Sequence, residues 1–247
     1  MTRWIGFKKL PRLQLAWIAG LLVVPLVAVL SQWPARATDR AAPLPPPEAT
    51  SLPPEGDTET AVLSGGCFWG IQGVFQHVLG VRRVLSGYAG GRKETANYEE
   101  VSAGGTGHAE SVQITFDPRK VSYGELLRIF FSVALDPTEL NRQGPDTGTQ
   151  YRSEIFYANE EQRRIAASYI AQLDRVRAFD QPIATRVDPD TGFYPAESYH
   201  QDYLILHPGS MYIVFNDLPK IANLKRLFPN EYVEDPVRVF PGGSASN

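Results

Sequence analysis

The 247-residue sequence predicts an α+β fold, a two-layer sandwich of helices against a sheet with long loops. Three observations carry that expectation. Short apolar strand patterns and amphipathic helix patterns are interleaved along the chain, and the connections between them are long. The stretch from Glu110 alternates strictly, with Glu110, Val112, Ile114 and Phe116 on one parity and Ser111, Gln113 and Thr115 on the other, as a half-buried strand does. Two helix starts are written in their caps, Ser122 with Glu125 and Asn159 with Gln162.

Taken in order, Thr60 to Leu63 is a short buried strand that stops at Gly65-Gly66. Ile71, Val74, Phe75, Val78 and Leu79 then recur at helical spacing, with Gly80 as the expected stop. Val81 to Tyr88 is a second strand, followed by a long glycine-rich loop that includes Gly90-Gly91 and Gly104-Gly105. After the Glu110 strand, Leu126, Leu127, Phe130, Phe131 and Ala134 carry the helix that Ser122 opens and Asp136-Pro137 ends. The run NRQGPDTGTQYRS has too much glycine and too many polar groups for a regular element and predicts a loop. Glu154 to Ala158 is a strand, and Ile165, Tyr169, Leu173 and Val176 mark the helix after Asn159. Ile183 to Val187 and Met211 to Phe215 predict strands, and Pro219 opens a last helix.

The ends differ from this middle. Arg3, Lys8, Lys9 and Arg12 precede an uncharged apolar run from Leu13 to Leu30, and Ala35-Arg36-Ala37 has the small residues of a signal-peptidase site, so residues 1–37 predict an export signal, or a membrane anchor if uncleaved. Residues 38–58 are crowded with proline and predict an extended, disordered linker. Residues 59–230 are enough for one domain, and 231–247 form a C-terminal tail. Without residues 1–37 the chain carries 19 Lys and Arg against 27 Asp and Glu, a net charge of −8. That balance argues against nucleic acid or an anionic membrane surface as the main partner, leaving residues 13–30 as the only membrane-directed segment. The expected location is exported, in the periplasm or cell envelope.

Cys67 is the only cysteine, which excludes an internal disulfide framework and leaves a thiol that is either buried and inert or reactive. It stands between glycines where a strand ends and a helix begins. Unpaired N–H groups and the macrodipole at such a helix start favour a thiolate, so a lowered thiol pKa is expected. Glu110 shares the apolar parity of its strand, and loss of hydration there would raise its pKa until it can donate a proton near neutrality. His77 falls away from the apolar stripe and is expected in solvent. His108 sits in a glycine-rich turn and is expected to be structural. One cysteine and scattered histidines give a metal cluster no support.

The segments GCFWG at Gly66 to Gly70, YEEVSAGGTGHAE at Tyr98 to Glu110, DTGTQYRS at Asp146 to Ser153 and ESYHQDYL at Glu197 to Leu204 resemble, in the same order, the motifs of the peptide methionine sulfoxide reductase A family. The resemblance spans about Ala61 to Pro208. It implies a ferredoxin-like core and reduction of the S epimer of methionine sulfoxide, free or in proteins, with no cofactor. Carried over motif by motif, Cys67 resembles the nucleophile, Glu110 the acid that protonates the sulfoxide oxygen, and Tyr98 and Tyr151 the phenols that hold it. Phe68 and Trp69 resemble the apolar wall for the substrate methyl group, Asp146 a polar group that either supports the site from behind or binds substrate, and His200 lies in a matching motif.

Family members often carry further cysteines that resolve the sulfenic acid. Here Ser102 stands where some have one, and His207 to Phe240 contains no thiol, so an external reductant is implied: a thioredoxin-like or glutaredoxin-like protein, or a small thiol. Two other readings use the same residues. A cysteine hydrolase would employ Cys67, His200 and Asp146, and a catalytically inactive module would bind oxidised or Met-rich proteins.

Overall fold

The computed structural model describes residues 1–2, 41–51 and 56–240. The chain divides into two units, Met1–Ala35 and Arg36–Asn247, and every named element belongs to the second. The segment read as an export signal lies, beyond Met1 and Thr2, outside the described residues.

Strand β1 (Glu59–Gly65) leads through a tight turn into helix α1 (Phe68–Gln76), and β2 (Val81–Ala89) follows. Helix α2 (Tyr98–Ala103), strand β3 (Ala109–Phe116) and helix α3 (Tyr123–Ile129) come next. A small hairpin of β4 (Arg142–Gln143) and β5 (Asp146–Thr147) precedes β6 (Ser153–Tyr157) and the long helix α4 (Glu160–Arg175). Strands β7 (Arg186–Pro189) and β8 (Phe193–Pro195) and helices α5 (Tyr203–Leu206) and α6 (Leu218–Leu227) complete the domain.

The sheet order is β7-β6-β1-β3-β2-β8. Its four central strands pair antiparallel, β1 with β3 and β6, and β2 with β3. Each helical crossover, β1–α1–β2 and β3–α3–β6, therefore leaves a gap that one strand of the other unit fills. This is the split βαβ arrangement of a ferredoxin-like core. Alternation along the strands sorts the side chains: Ala61, Leu63, Val112, Ile114 and Phe116 join Ile71, Phe75, Leu127, Phe130, Ile165 and Leu173 in the main core. Val62, Ala89, Ala109 and Phe156 form a smaller cluster apart from it, with Phe193 packed against them. Glu110 is two residues before Val112, so the pleat aims it into the layer that contains α1.

Local chemistry explains which boundaries follow the sequence. Ser122 and Asn159 accept from the backbone N–H of Glu125 and Gln162, as their spacing predicts. Helix α1 stops at Gln76, one turn before Gly80, so Leu79 is exposed and not on the buried stripe. His77, expected in solvent, is buried: its Nδ1 lies 2.8 Å from the Val233 carbonyl and its ring stacks on Tyr232. The glycine-rich loop contains α2, capped by Asn97, and the polar loop before Tyr151 contains the β4–β5 hairpin. The strand expected at Ile183 to Val187 forms at Arg186–Pro189. Met211 to Phe215 is helical and runs into a π-helical turn at Ile213–Asp217; a five-residue apolar run does not by itself separate helix from strand, and here only Ile213 is buried while Met211, Val214 and Phe215 are exposed.

The proline-rich segment, expected as a disordered linker, is extended but bound over residues 41–51. Leu44 is buried in the main core. The Pro45 carbonyl accepts from Tyr169 and the Pro46 carbonyl from Gln172 Nε2, while the Gln172 side-chain oxygen accepts from Glu48 N–H. Arg128 Nε donates to the Leu44 carbonyl. Burial of one leucine and loss of partners for buried polar groups set the scale: a chain starting at residue 52 should lose about 3 kcal/mol against one starting at 38. Urea unfolding of the two chains measures this, and equal midpoints would mean that the strap contributes nothing.

Candidate active site

The site is built where β1 runs into α1. Gly66 adopts φ +93°, which only glycine takes without strain, and a Cβ there would come within 2.5 Å of Gln143 Cβ. The turn thereby places Cys67 at the N-cap of α1. Its sulfur accepts from the Trp69 N–H, the local pull towards thiolate that the sequence predicts. The net shift has the opposite sign. Burial first, then the carboxylates of Glu110 and Asp217, push the Cys67 thiol well above its ordinary value, and the Trp69 N–H only partly offsets them. The sequence hid this because the burial that dominates the shift is imposed by packing of distant segments, among them the one that brings Asp217 from 150 positions away.

Glu110 is 3 % exposed and accepts the Phe68 N–H at 3.0 Å, one residue from the thiol. Burial raises its pKa to about 8, the Phe68 hydrogen bond opposes that shift, and Asp146 adds to it. At neutral pH this carboxyl is therefore largely protonated, a hydrogen-bond donor beside a sulfur nucleophile. Tyr98, at the start of α2, and Tyr151, in the 3₁₀ turn Thr149–Tyr151, face the same charges: burial raises both phenols, and Glu110, Cys67 and Asp146 raise them further. Both stay protonated and able to donate.

Asp146, half-buried on β5, accepts from the Tyr212 hydroxyl. Burial raises its pKa, against the Tyr212 hydrogen bond and the Lys220 charge. Trp69 is clamped: its ring stacks on Tyr203 with centroids 3.8 Å apart and meets Tyr212 edge-on at 5.8 Å. Its indole N–H donates to His200 Nδ1 at 3.1 Å, which leaves the hydrogen of neutral His200 on Nε2. Burial lowers the His200 pKa to about 4, so the ring is uncharged at neutrality. Phe68 is only 1 % exposed, and its ring lies against His200 at 5.0 Å and Tyr88 at 5.9 Å. Of the two aromatic residues in the motif, Trp69 is the one that offers surface.

The structure thus gathers Cys67, Glu110, Tyr98, Tyr151 and Asp146 into one electrostatic neighbourhood, with the Trp69 N–H on the thiol and His200 packed against Trp69, Phe68 and Tyr98. It does not assemble a Cys–His–Asp triad, because His200 is held by Trp69 and Asp146 by Tyr212. Tyr203, Tyr212 and Asp217 are contributors the sequence reading did not single out. Tyr203 stood inside the ESYHQDYL motif, whereas Tyr212 and Asp217 fell in or beside a segment read as a strand. His108 is a structural residue: Gly91 N–H donates to its Nδ1, and its Nε2 lies 2.9 Å from the Arg92 carbonyl.

Asp217 explains the second glycine of the motif. A Cβ on Gly70 would overlap Asp217 Oδ1 and stand 2.9 Å from Lys220 Nζ, and Asp217 is wholly buried. Gly70→Ala is expected to cost about 1–3 kcal/mol through this overlap, read as a lower urea midpoint; an unchanged midpoint would mean that Asp217 moves freely.

A thiol paired with a protonated buried acid and two phenol donors defines a thiol-dependent enzyme that acts on a polar oxygen. The family model for peptide methionine sulfoxide reductase matches residues 59–232, and the chain belongs to that family. It is 60 % identical over 190 residues to peptide methionine sulfoxide reductase MsrA 2 of Mesorhizobium japonicum, covering 77 % of this chain and 96 % of the relative. It is 53 % identical to MsrA 2 of a Synechocystis strain over 174 residues, covering 70 % and 81 %. Among solved structures, reduced Mxr1 from Saccharomyces cerevisiae matches with a TM-score of 0.56 and 30 % identity, covering 66 % of this chain and 92 % of that one. Methionine sulfoxide reductase A of Corynebacterium diphtheriae matches with 0.52 and 32 %, covering 71 % and 86 %.

Proposed function

We propose that this chain is a peptide-methionine (S)-S-oxide reductase that acts on oxidised proteins and on free methionine S-sulfoxide. The observation that carries the assignment of roles is Glu110: a buried, largely protonated carboxyl that accepts the N–H next to the thiol. A sulfoxide has a positive sulfur and a negative oxygen, so sulfur is attacked only when the oxygen is neutralised. Glu110 gives its proton to that oxygen, with Tyr98 and Tyr151 donating hydrogen bonds to it. The Cys67 sulfur attacks the substrate sulfur, and the thiol proton returns to Glu110. The hydroxyl then passes from the substrate sulfur to the Cys67 sulfur, the S–O bond and the new S–S bond to the substrate both breaking, so that Cys67 is left as sulfenic acid, the substrate sulfur gains two electrons, the cysteine sulfur loses two, and methionine departs. Trp69 supplies the apolar face for the methyl group, which is electron-poor beside a sulfoxide. Asp146 and His200 lie within the same neighbourhood and bind the rest of the substrate.

Two external thiols close the cycle: one attacks the sulfenic sulfur and expels water, the second releases Cys67 and leaves with the first as a disulfide. A thioredoxin-like or glutaredoxin-like protein, or a small thiol, serves as donor, since the chain has no second cysteine. The Leu13–Leu30 run and the Ala35-Arg36-Ala37 site support export to the periplasm or cell envelope, with residues 13–30 as an anchor if they are retained. The test is a single turnover with one equivalent of each sulfoxide epimer and no reductant. About one methionine per chain from the S epimer, with sulfenic acid trapped at Cys67, supports the proposal. An unmodified thiol and no methionine would overturn it.

A further inference from the structure

Arg152 follows Tyr151 in the DTGTQYRS motif, yet the chemistry above assigns it nothing. It is 7 % exposed, and its guanidinium makes four hydrogen bonds. Nη1 donates to the carbonyls of His108 at 3.1 Å and Thr149 at 2.9 Å, and Nη2 donates to the carbonyl of Gly107 at 2.9 Å. Nε donates to the Glu154 carboxylate at 2.5 Å, and Glu154 is itself 1 % exposed. Two of these carbonyls lie just before β3, two and three residues from Glu110. The third lies in the turn that presents Tyr151. One side chain therefore ties together the two segments that hold the acid and the phenol, 41 positions apart in sequence.

We propose that Arg152 is a positioning residue, which fixes the Tyr151 turn against the entry of the Glu110 strand so that both groups converge on one sulfoxide oxygen. The inference rests on the roles given to Glu110 and Tyr151. A planar fork can reach several carbonyls and a carboxylate at fixed angles, which an ammonium on a flexible stem cannot. Glu154 balances the buried charge, and Arg186 Nη2 stands 3.5 Å from its other oxygen. Burial first and Asp188 next raise the Glu154 pKa, while Arg152 and Arg186 oppose that shift and hold the group as their carboxylate partner. Arg152 and Glu154 also border a cavity of about 650 Å³, lined in addition by Gly90, Gly107 and Thr149, with room for a small cation.

The test uses the full chain and measures the single-turnover rate against sulfoxide concentration for the unaltered protein, Arg152→Ala, Arg152→Lys and Glu154→Gln, with thermal unfolding of each. Loss of alignment between reacting groups predicts a saturating rate down by about 10²-fold in Arg152→Ala, with half-saturation changed less than about threefold. Arg152→Lys should recover little, because its point charge lacks the fork, whereas added guanidinium should raise the Arg152→Ala rate and ethylammonium should not. A merely structural role would lower the unfolding temperature without this pattern of rescue. The proposal is overturned by a folded Arg152→Ala or Glu154→Gln chain that keeps its full rate, by a loss confined to half-saturation, or by variants that all fail to fold. An unaltered chain that forms no methionine would instead sink the reductase assignment itself.

Discussion

Glu110→Gln should slow the first half-reaction by about 10²- to 10⁴-fold, the usual contribution of a positioned acid. The amide oxygen still accepts the Phe68 N–H, so the fold and the thiol's surroundings persist while the transferable proton is gone. The unaltered chain should lose kcat/KM as pH rises through about 8, where Glu110 gives up its proton, and the variant's residual rate should lack that limb. Stability should fall with rising pH as well. The folded chain holds the Glu110 proton up to about 8, while the unfolded chain releases it near 4.5, so the unaltered protein loses stability as pH climbs between those values. The variant escapes this loss, on the order of a few kcal/mol for such a shift, and should unfold at higher temperature than its parent above pH 8. Equal rates for the two chains across neutral pH would remove Glu110 as the acid.

Cys67→Ser should abolish methionine formation altogether. The hydroxyl fits the same N-cap place in α1 and keeps the fold, but it supplies neither a thiolate nor a sulfur that can carry the substrate's oxygen as a sulfenic acid. Mass spectrometry of the parent after one turnover should show one added oxygen, confined to Cys67, and the variant none. Methionine released by Cys67→Ser would place the nucleophile elsewhere. The raised thiol pKa gives a further expectation: removal of the Glu110 carboxylate should lower it, so Glu110→Gln should alkylate faster than its parent at alkaline pH, where the parent's carboxylate is charged.

The features legible in the sequence are those set by near neighbours. Glu110 is aimed by strand alternation, Ser122 and Asn159 cap because their partners are three residues on, and Cys67 sits between a strand and a helix that the pattern of apolar residues marks. Helix α2 carried its own signal in Asn97 with Glu100, hidden by the glycines on either side. What could not be read locally depends on distant segments. The sign of the Cys67 shift needs the burial that the folded chain imposes and the carboxyl of Glu110 brought beside it, the orientation of Trp69 needs His200 and Tyr203, and the order of residues 41–51 needs the polar side chains of α3 and α4. Proline content predicts an extended chain, and it says nothing of whether a binding groove waits for it.

Cys67 is only 9 % exposed, and it has no partner thiol within the chain. A sulfur so nearly covered offers one approach to sulfoxide and reductant alike, so the sulfide product must vacate before a reducing thiol can enter. The kinetics should then be ping-pong, with parallel lines in double-reciprocal plots and inhibition by excess sulfoxide that the reductant relieves. At low reductant the chain would accumulate in its oxidised form, and the redox state of its surroundings, more than its affinity for damaged protein, would govern how fast it works.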